Sequence, residues 1–260
     1  MIKLFRNVRQ RLLRENRFSR YLIYAIGEII LVVIGILIAL GINTWNTERQ
    51  VKATNKKYLK NMVEDLSMTK ERLNRVVYVG DRDNSWPSMV SAIKDCDSLL
   101  ALSYVGFEEK DLDYFLNSMP NSGNSLLNVY DNTYTEMLNT GKLYQLESET
   151  LTKQITRYYK ICERENFYNE KNSETANEGL SRIMDGLGKM RMDHEESPKH
   201  FNLKDYPSFA EKTSKDYQDF QTGIKMMQTA QQNNMNKMIL IMSLTDSLQT
   251  AIKKELQSYN

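Results

Sequence analysis

The sequence predicts an all-α protein, in which an N-terminal transmembrane helix precedes an extracytoplasmic antiparallel bundle of four or five helices. Three observations support this fold class. An apolar run over residues 21–45 is long enough to cross a bilayer and follows a strongly basic leader. Beyond it, apolar residues recur at helical spacing almost throughout, and the four prolines all lie in polar stretches. No run of alternating β-branched residues is long enough to predict a sheet.

The predicted transmembrane helix covers residues 21–43, and Glu28 is its only charged residue. A helix needs about 20 mostly apolar residues to cross the hydrocarbon core. Residues 29–40 are apolar on all sides, whereas a surface helix of a soluble protein has a single apolar stripe. A cleaved signal peptide is the alternative, because Ala39-Leu40-Gly41 resembles a small-x-small cleavage site. The run is longer than a usual signal-peptide core, so we favour an uncleaved anchor.

The leader, residues 1–20, indicates the orientation of the span. It holds seven basic residues and one acidic residue, which give it a net charge of +6. Because the whole chain carries +2, residues 21–260 carry −4. Lys and Arg concentrate on the cytoplasmic side of a membrane span. We therefore expect the N-terminus in the cytoplasm and the helical domain, residues 44–260, on the other side.

The leader also has the pattern of a basic amphipathic helix, which would lie on the inner leaflet. We expect its main role to be fixing the topology. Binding to anionic lipids, worth about 1 kcal/mol per basic residue near the surface, would accompany that role. Nucleic-acid binding is disfavoured, since the basic charge is confined to this leader. The residues expected at the membrane surface are Arg6, Arg9, Arg11, Arg14, Arg17 and Arg20.

One side of the predicted span carries a carboxyl group and two small residues. At 3.6 residues per turn, Tyr21, Gly35 and Ala39 lie within about 20° of the direction of Glu28. Gly35 and Ala39 form a small-xxx-small pair, which allows close helix approach, and intramembrane carboxyl groups usually face protein or water. We expect this transmembrane stripe, Tyr21, Glu28, Gly35 and Ala39, to pack against a second copy or a partner helix. Alternatively, Glu28 snorkels to the headgroups, is protonated, or relays protons, although a lone acid does not favour a relay.

The segment from Arg20 to Leu40, followed by Ile42-Asn43 and Trp45-Asn46, resembles the opening of a family of uncharacterised single-span proteins of Bacteroidota. This resemblance implies an inner-membrane protein with a periplasmic helical domain, and it implies no activity, cofactor or catalytic residue. Members often have Gln where Gly41 stands here, which weakens the cleavage-site interpretation. Similar pieces follow later in the chain: Tyr58-Leu59, Asp65-Leu66, Tyr134 through Gly141, and Tyr158-Tyr159.

Apolar spacing predicts the helices of the outer domain in order. Leu59, Leu66 and Leu73 repeat at seven residues, so the first helix should continue from the span to about Val79. Gly141 is placed to follow a helix C-terminus, and residues 191–208 are the main linker candidate. The further predicted helices cover residues 88–102, 108–119, 126–140, 151 to about 190 with an interruption, and 209–259.

Gln231 and Asn234 interrupt the apolar stripe of the last predicted helix. An Asn at such a position can fix the register or the oligomeric state of a coiled coil. A hydrogen-bonded amide in the core of an ordinary bundle is the simpler interpretation, and we favour it.

Motifs that carry chemistry are nearly absent from the sequence. There is no Gly-rich phosphate loop and no nucleophile elbow, so we expect no catalytic residue and no cofactor. His194 and His200 lack the H-E-x-x-H spacing of a zinc site, which predicts a solvated loop and no metal. Cys96 and Cys162 lie on apolar helix faces. A disulfide between them is allowed outside the cytoplasm, and two buried free thiols are the alternative that we favour.

Two function classes remain. The first is a non-enzymatic interaction or assembly protein of the cell envelope, which associates through its transmembrane helix and helical domain with itself or with a membrane protein. The second is a ligand-sensing helical module that signals through a separate membrane partner, because the cytoplasmic part holds only about 20 residues. A sensor needs a pocket between helices lined by convergent polar groups. Nothing in the sequence supports an enzyme.

Overall fold

A computed structural model describes residues 18–80, 87–118 and 126–259 of the chain. The chain divides into two compact units, residues 1–56 and residues 57–260. All regular secondary structure in the described ranges is helical, without a strand. This confirms the all-α class that the apolar spacing predicts.

The first helix, α1 (Phe18–Asn74), contains the predicted span and ends in a π-helical turn, Arg75–Val79. Gly80 follows with a φ of 74°, in the left-handed region that glycine adopts without strain. The prediction of a continuous helix to about Val79 is therefore confirmed. Among the described residues, α1 is the one helix long and apolar enough to cross a membrane. None of its most apolar 18-residue stretch is buried.

Six further α-helices follow within the described residues. They are α2 (Met89–Val105), α3 (Leu112–Asn117), α4 (Asn132–Asn139), α5 (Glu149–Ile183), α6 (Lys189–Glu196) and α7 (Lys215–Ser258). A π-helical turn, Met184–Gly188, joins α5 to α6, and Gly186 leaves helical geometry there. The predicted interruption of the long polar helix is thus confirmed. The 3₁₀ turns are Glu109–Asp111, Lys142–Gln145, Leu203–Asp205 and Pro207–Phe209.

Serine side chains fix where three of these helices begin. The hydroxyl oxygens of Ser88, Ser148 and Ser214 each accept a bond from the backbone N–H three residues later, at 3.2–3.3 Å. Such caps satisfy N–H groups that a helix N-terminus leaves unpaired. The cap explains why α7 begins at Lys215, so the start predicted at residue 209 was wrong.

The helix predicted over residues 126–140 is also shorter than expected, because its first six residues are not helical. Distant side chains bond to the backbone of that segment instead. The Asn169 and Thr69 oxygens accept from backbone N–H groups at 3.0 and 2.9 Å. The Arg72 guanidinium donates to two carbonyls, each at 3.1 Å. These bonds replace helical ones, and α4 begins only afterwards.

Other predicted boundaries shift by a few residues. Residues 108–118 form a 3₁₀ turn and the short α3, and residue 119 lies outside the described ranges. The linker candidate over residues 191–208 is partly helical, since α6 extends to Glu196. His194 therefore lies on a helix, not in the expected loop. Gly141 follows α4 with a φ of 70°, which agrees with its predicted position.

Two separate hydrophobic clusters lie in the second unit, and α5 and α7 contribute to both. The first cluster draws on α1, α4, α5 and α7, and its members include Leu59, Leu66, Met137, Ile155, Tyr158, Met238 and Ile252. The second cluster draws on α2, α3, α5 and α7, and five aromatic residues pack in it: Phe107, Phe115, Phe209, Tyr217 and Phe220.

Candidate functional site

The residues of the transmembrane stripe all lie on α1. Ala39 is exposed, and a Cβ added at Gly35 would meet no atom within 4 Å. The side chain of Tyr21 is outside the described part of the structure. Among the leader residues, Arg20 falls within α1 without a described side chain. Arg6, Arg9, Arg11, Arg14 and Arg17 lie outside the described residues.

The structure does not bring the two cysteines together. Cys96 lies in the second hydrophobic cluster and Cys162 in the first, and both are free and buried. Burial raises the pKa of each thiol to about 12. A thiol with so high a pKa is inert near neutral pH, because the thiolate is the reactive form.

Between the two clusters, α5 and α7 meet through a layer of buried polar side chains. The Asn172 amide donates to Asn234 Oδ1 at 2.8 Å. The Asn234 amide in turn faces Ser173 Oγ and the Asn169 carbonyl, both at 3.4 Å. Asn234 is therefore a hydrogen-bonded core amide, as the sequence favoured. Gln231, three residues before Asn234 on α7, is also buried.

A buried carboxylate completes this layer. The side chain of Glu165 is 8% exposed, and it accepts bonds from Lys237 Nζ at 2.7 Å and from Arg164 Nη2 at 2.6 Å. The hydrogen bond from Lys237 holds the pKa of Glu165 below its usual value, against the opposing effect of burial. Lys237 Nζ also lies 5.0 Å from the centroid of the Tyr168 ring. This carboxylate was not identified from the sequence. Its position seven residues after the buried Tyr158 puts it on the same face of the helix, which could have indicated that it is buried.

A cleft opens between α5 and α7 beside this ion pair. It has a volume of about 350 Å³, near the lower end of the range for small-molecule sites. One carboxylate, one ammonium and three amides line it, so the cleft carries no net charge. Such a lining suits a small, uncharged molecule rich in hydrogen-bonding groups. The lining residues are Glu165, Tyr168, Asn172, Asn233, Asn236, Lys237 and Leu240.

The two histidines lie apart from the polar layer, around the end of α6. The His194 ring meets the Phe201 ring edge-on, with 4.9 Å between the centroids. His200 Nδ1 lies 3.2 Å from Ser197 Oγ. No group of His, Cys, Asp and Glu within the described ranges is arranged to hold a metal ion.

Comparison with known proteins gives a family and no activity. A family of unknown function, DUF6090, matches residues 28–191. The match begins at Glu28 within the apolar part of α1 and ends in α6, and it covers more than half of the chain. Comparisons with curated proteins and with solved structures each found no match. The chain therefore belongs to the family of unknown function DUF6090.

Proposed function

We propose that this chain is a membrane-anchored, non-enzymatic assembly protein of the cell envelope. It associates through the transmembrane stripe with a second copy or with a membrane protein, and it presents a helical domain outside the cytoplasm. The observation that carries this proposal is that the described chain buries none of the most apolar stretch of α1. So large an apolar surface requires cover from lipid or from other helices.

The proposed outer domain is an antiparallel helical bundle. Two bonds between α5 and α7 support it: Tyr158 pairs with Thr245 at 2.8 Å, and Asn172 pairs with Asn234 at 2.8 Å. Partner numbers fall along α7 as they rise along α5, which is the order expected of antiparallel helices. The Lys70–Asp246 ion pair likewise joins α1 to α7, at 2.6 Å.

The proposed location is the inner membrane, with the N-terminus in the cytoplasm and residues 44–260 in the periplasm. The +6 charge of residues 1–20 supports this orientation. The family match supports an uncleaved anchor, because its range begins at Glu28, before the candidate cleavage site, and extends to residue 191. The resemblance to single-span inner-membrane proteins agrees with both.

Gly35→Leu tests the stripe, and Gly41→Leu is its matched control. Neither glycine has an atom within 4 Å of an added Cβ, and Gly41 lies about 140° around the helix from Glu28. Interhelical contacts in membranes are worth about 0.6–2 kcal/mol, so Gly35→Leu should weaken association roughly 3- to 30-fold. Gly41→Leu should leave association unchanged. The measurement is the yield of oligomer or partner adduct from a membrane-impermeant lysine crosslinker in intact spheroplasts.

The same experiment tests the orientation separately. The lysines of residues 44–260 should react from outside intact spheroplasts. Adducts that form only after lysis would refute the periplasmic placement. Adducts that form in intact spheroplasts with equal yield in both variants would refute the stripe as the interface.

A ligand-sensing module is the second candidate function, and the neutral cleft between α5 and α7 favours it. Binding of a small polar molecule there should raise the melting temperature of the full-length protein. A ligand at 100 times its Kd adds about 2.7 kcal/mol of stability. Monosaccharides and free amino acids are suitable probes for thermal-shift measurements, with Asn236→Ala as the variant that should lose the response. A flat response across these probes, or an equal response in Asn236→Ala, would count against a sensor at this cleft.

A further inference from the structure

The first half of α5 carries a groove that is separate from the polar cleft. Its volume is about 680 Å³, and Tyr144 lies at one end. The lining runs from Glu149 to Arg164, which corresponds to about 22 Å of helix, or four turns. The other lining residues are Thr152, Lys153, Thr156, Arg157, Lys160 and Ile161.

The groove is strongly basic. Four cations, Lys153, Arg157, Lys160 and Arg164, follow one another at steps of four, three and four residues, so they form a line along one face of α5. Its single acid, Glu149, already pairs with Lys153 at 2.6 Å. Arg157 and Lys160 are exposed, and neither forms an ion pair with another residue that the structure describes. Because Arg164 also pairs with Glu165, Arg157 and Lys160 supply the uncompensated positive charge of the line.

The surface between these cations offers mainly apolar contacts, because its hydroxyl groups are already hydrogen-bonded within α5. The hydroxyls of Thr152 and Thr156 donate to the carbonyls four residues earlier, at 3.1 and 2.9 Å, so neither needs a partner from outside. Ile161 is half-buried against the first hydrophobic cluster. The Tyr144 side chain is 71% exposed. Tyr and Arg are the residue types that most often dominate protein–protein binding energy.

We propose that this groove docks an acidic amphipathic helix of a partner protein. Acids three residues apart on that helix would face Arg157 and Lys160, while the neighbouring apolar side chains cover Ile161 and Tyr144. The straight line of charge and the groove of helical length favour a helix over a flat lipid surface. This proposal rests on the proposed assembly function, because it names the surface and the chemistry of the partner.

The test uses the full-length protein in nanodiscs of neutral lipid. The probe is a fluorescent synthetic 18-residue peptide with a line of Glu along one side of the helix and a line of Leu directly beside it, and the control peptide has Gln in place of Glu. Fluorescence anisotropy should show binding of the acidic peptide that weakens as salt rises, and no binding of the Gln peptide. The double variant Arg157→Glu, Lys160→Glu should bind the acidic peptide at least tenfold more weakly.

The double variant Lys204→Glu, Lys225→Glu is the matched control. It makes the same change in net charge at two exposed positions outside the groove, and it should bind like the wild type. Failure of the acidic peptide to bind, or an equal loss in both double variants, overturns the proposal. Binding to phosphatidylglycerol vesicles without peptide binding, lost only in the groove variant, also overturns it and assigns the groove to a membrane surface.

These outcomes are distinguishable from a failure of the assembly proposal. If the groove is wrong, Gly35→Leu still lowers crosslinking while the peptide does not bind. If the stripe is wrong, the peptide binds while Gly35→Leu leaves crosslinking unchanged. The groove variant should also retain the melting temperature of the wild type, since both altered side chains are exposed.

Discussion

Gly223→Ala is expected to lower the free energy of unfolding of the second unit by about 1–3 kcal/mol, the usual cost of overpacking. At this position α5 and α7 cross backbone against backbone. A Cβ at residue 223 would clash with the Gly179 carbonyl oxygen and would lie 2.7 Å from Ile183 Cγ1. Backbone atoms cannot rotate away, so the helices must separate. This cost outweighs the gain of about 1 kcal/mol in helix propensity from Gly to Ala.

Denaturant and thermal unfolding of the full-length protein, followed by far-UV circular dichroism, measure this effect. The melting temperature should fall by about 2–4 °C for each kcal/mol. Thr229→Ala, an exposed position on the same helix, is the control and should change stability by no more than about 0.5 kcal/mol. Equal stability of Gly223→Ala and the wild type would show that the crossing widens without cost.

Helical spacing was enough to predict the long helices. The apolar positions of α1, α5 and α7 recur every three, four or seven residues, because each helix buries one face along most of its length. An interruption between α5 and α6 was also predicted, and Gly186 leaves helical geometry there while the apolar spacing of Ile183, Leu187 and Met190 continues across it. The start of α7 was not, because apolar residues such as Phe209 precede the capping Ser214 and extend the helical pattern beyond the helix.

Features that depend on distant residues could not be predicted. Residues 126–131 have helical spacing, yet Asn169 and Arg72 hold their backbone in another conformation. Nothing local in the sequence signals these bonds. The contact of Gly179 with Gly223 is likewise invisible in the sequence, since only the packing of α5 on α7 brings the two glycines together.

Charged residues were the hardest to interpret. A run of charges along a helix usually indicates a solvated face, and both Glu165 and the basic residues of the groove fit that description in the sequence. In the structure these charged residues differ in their exposure. Glu165 is buried in the polar layer, whereas Arg157 and Lys160 stay exposed beside a groove. Burial and groove shape depend on how α5 packs, so a single sequence does not distinguish the two cases.

Glu165→Gln is expected to lower the free energy of unfolding by about 3 kcal/mol. Breaking one side of a buried ion pair costs about 3–5 kcal/mol, because the remaining charge stays buried without compensation. The low end of this range applies because the side chains that pair with Glu165 are partly in water. The Lys237 side chain is 22% exposed, and the Arg164 side chain is 60% exposed. Urea unfolding of the full-length protein at neutral pH measures the difference between the variant and the wild type.

Removing both charges distinguishes the energy of the ion pair from the cost of leaving one charge without its partner. The double variant Glu165→Gln, Lys237→Met should be less destabilised than Glu165→Gln alone, because no uncompensated ammonium remains at the interface. The double-mutant cycle with the Lys237→Met single variant gives the coupling energy. A double variant as unstable as the sum of the two single variants would show that Glu165 and Lys237 act independently.

The pH dependence gives this prediction a definite sign. The bond from Lys237 holds the pKa of Glu165 below its ordinary value of about 4.5 in the folded protein. A lowered folded pKa contributes stability that is present above the unfolded pKa and is lost as pH falls through the folded pKa. The difference in stability between the wild type and Glu165→Gln should therefore be largest at neutral pH. It should shrink on acidification below about pH 4.5, because protonated glutamate and glutamine are then both uncharged. A difference that stays constant down to the acid-unfolding limit would mean that the Glu165 carboxylate does not stabilise the contact between α5 and α7 through its charge.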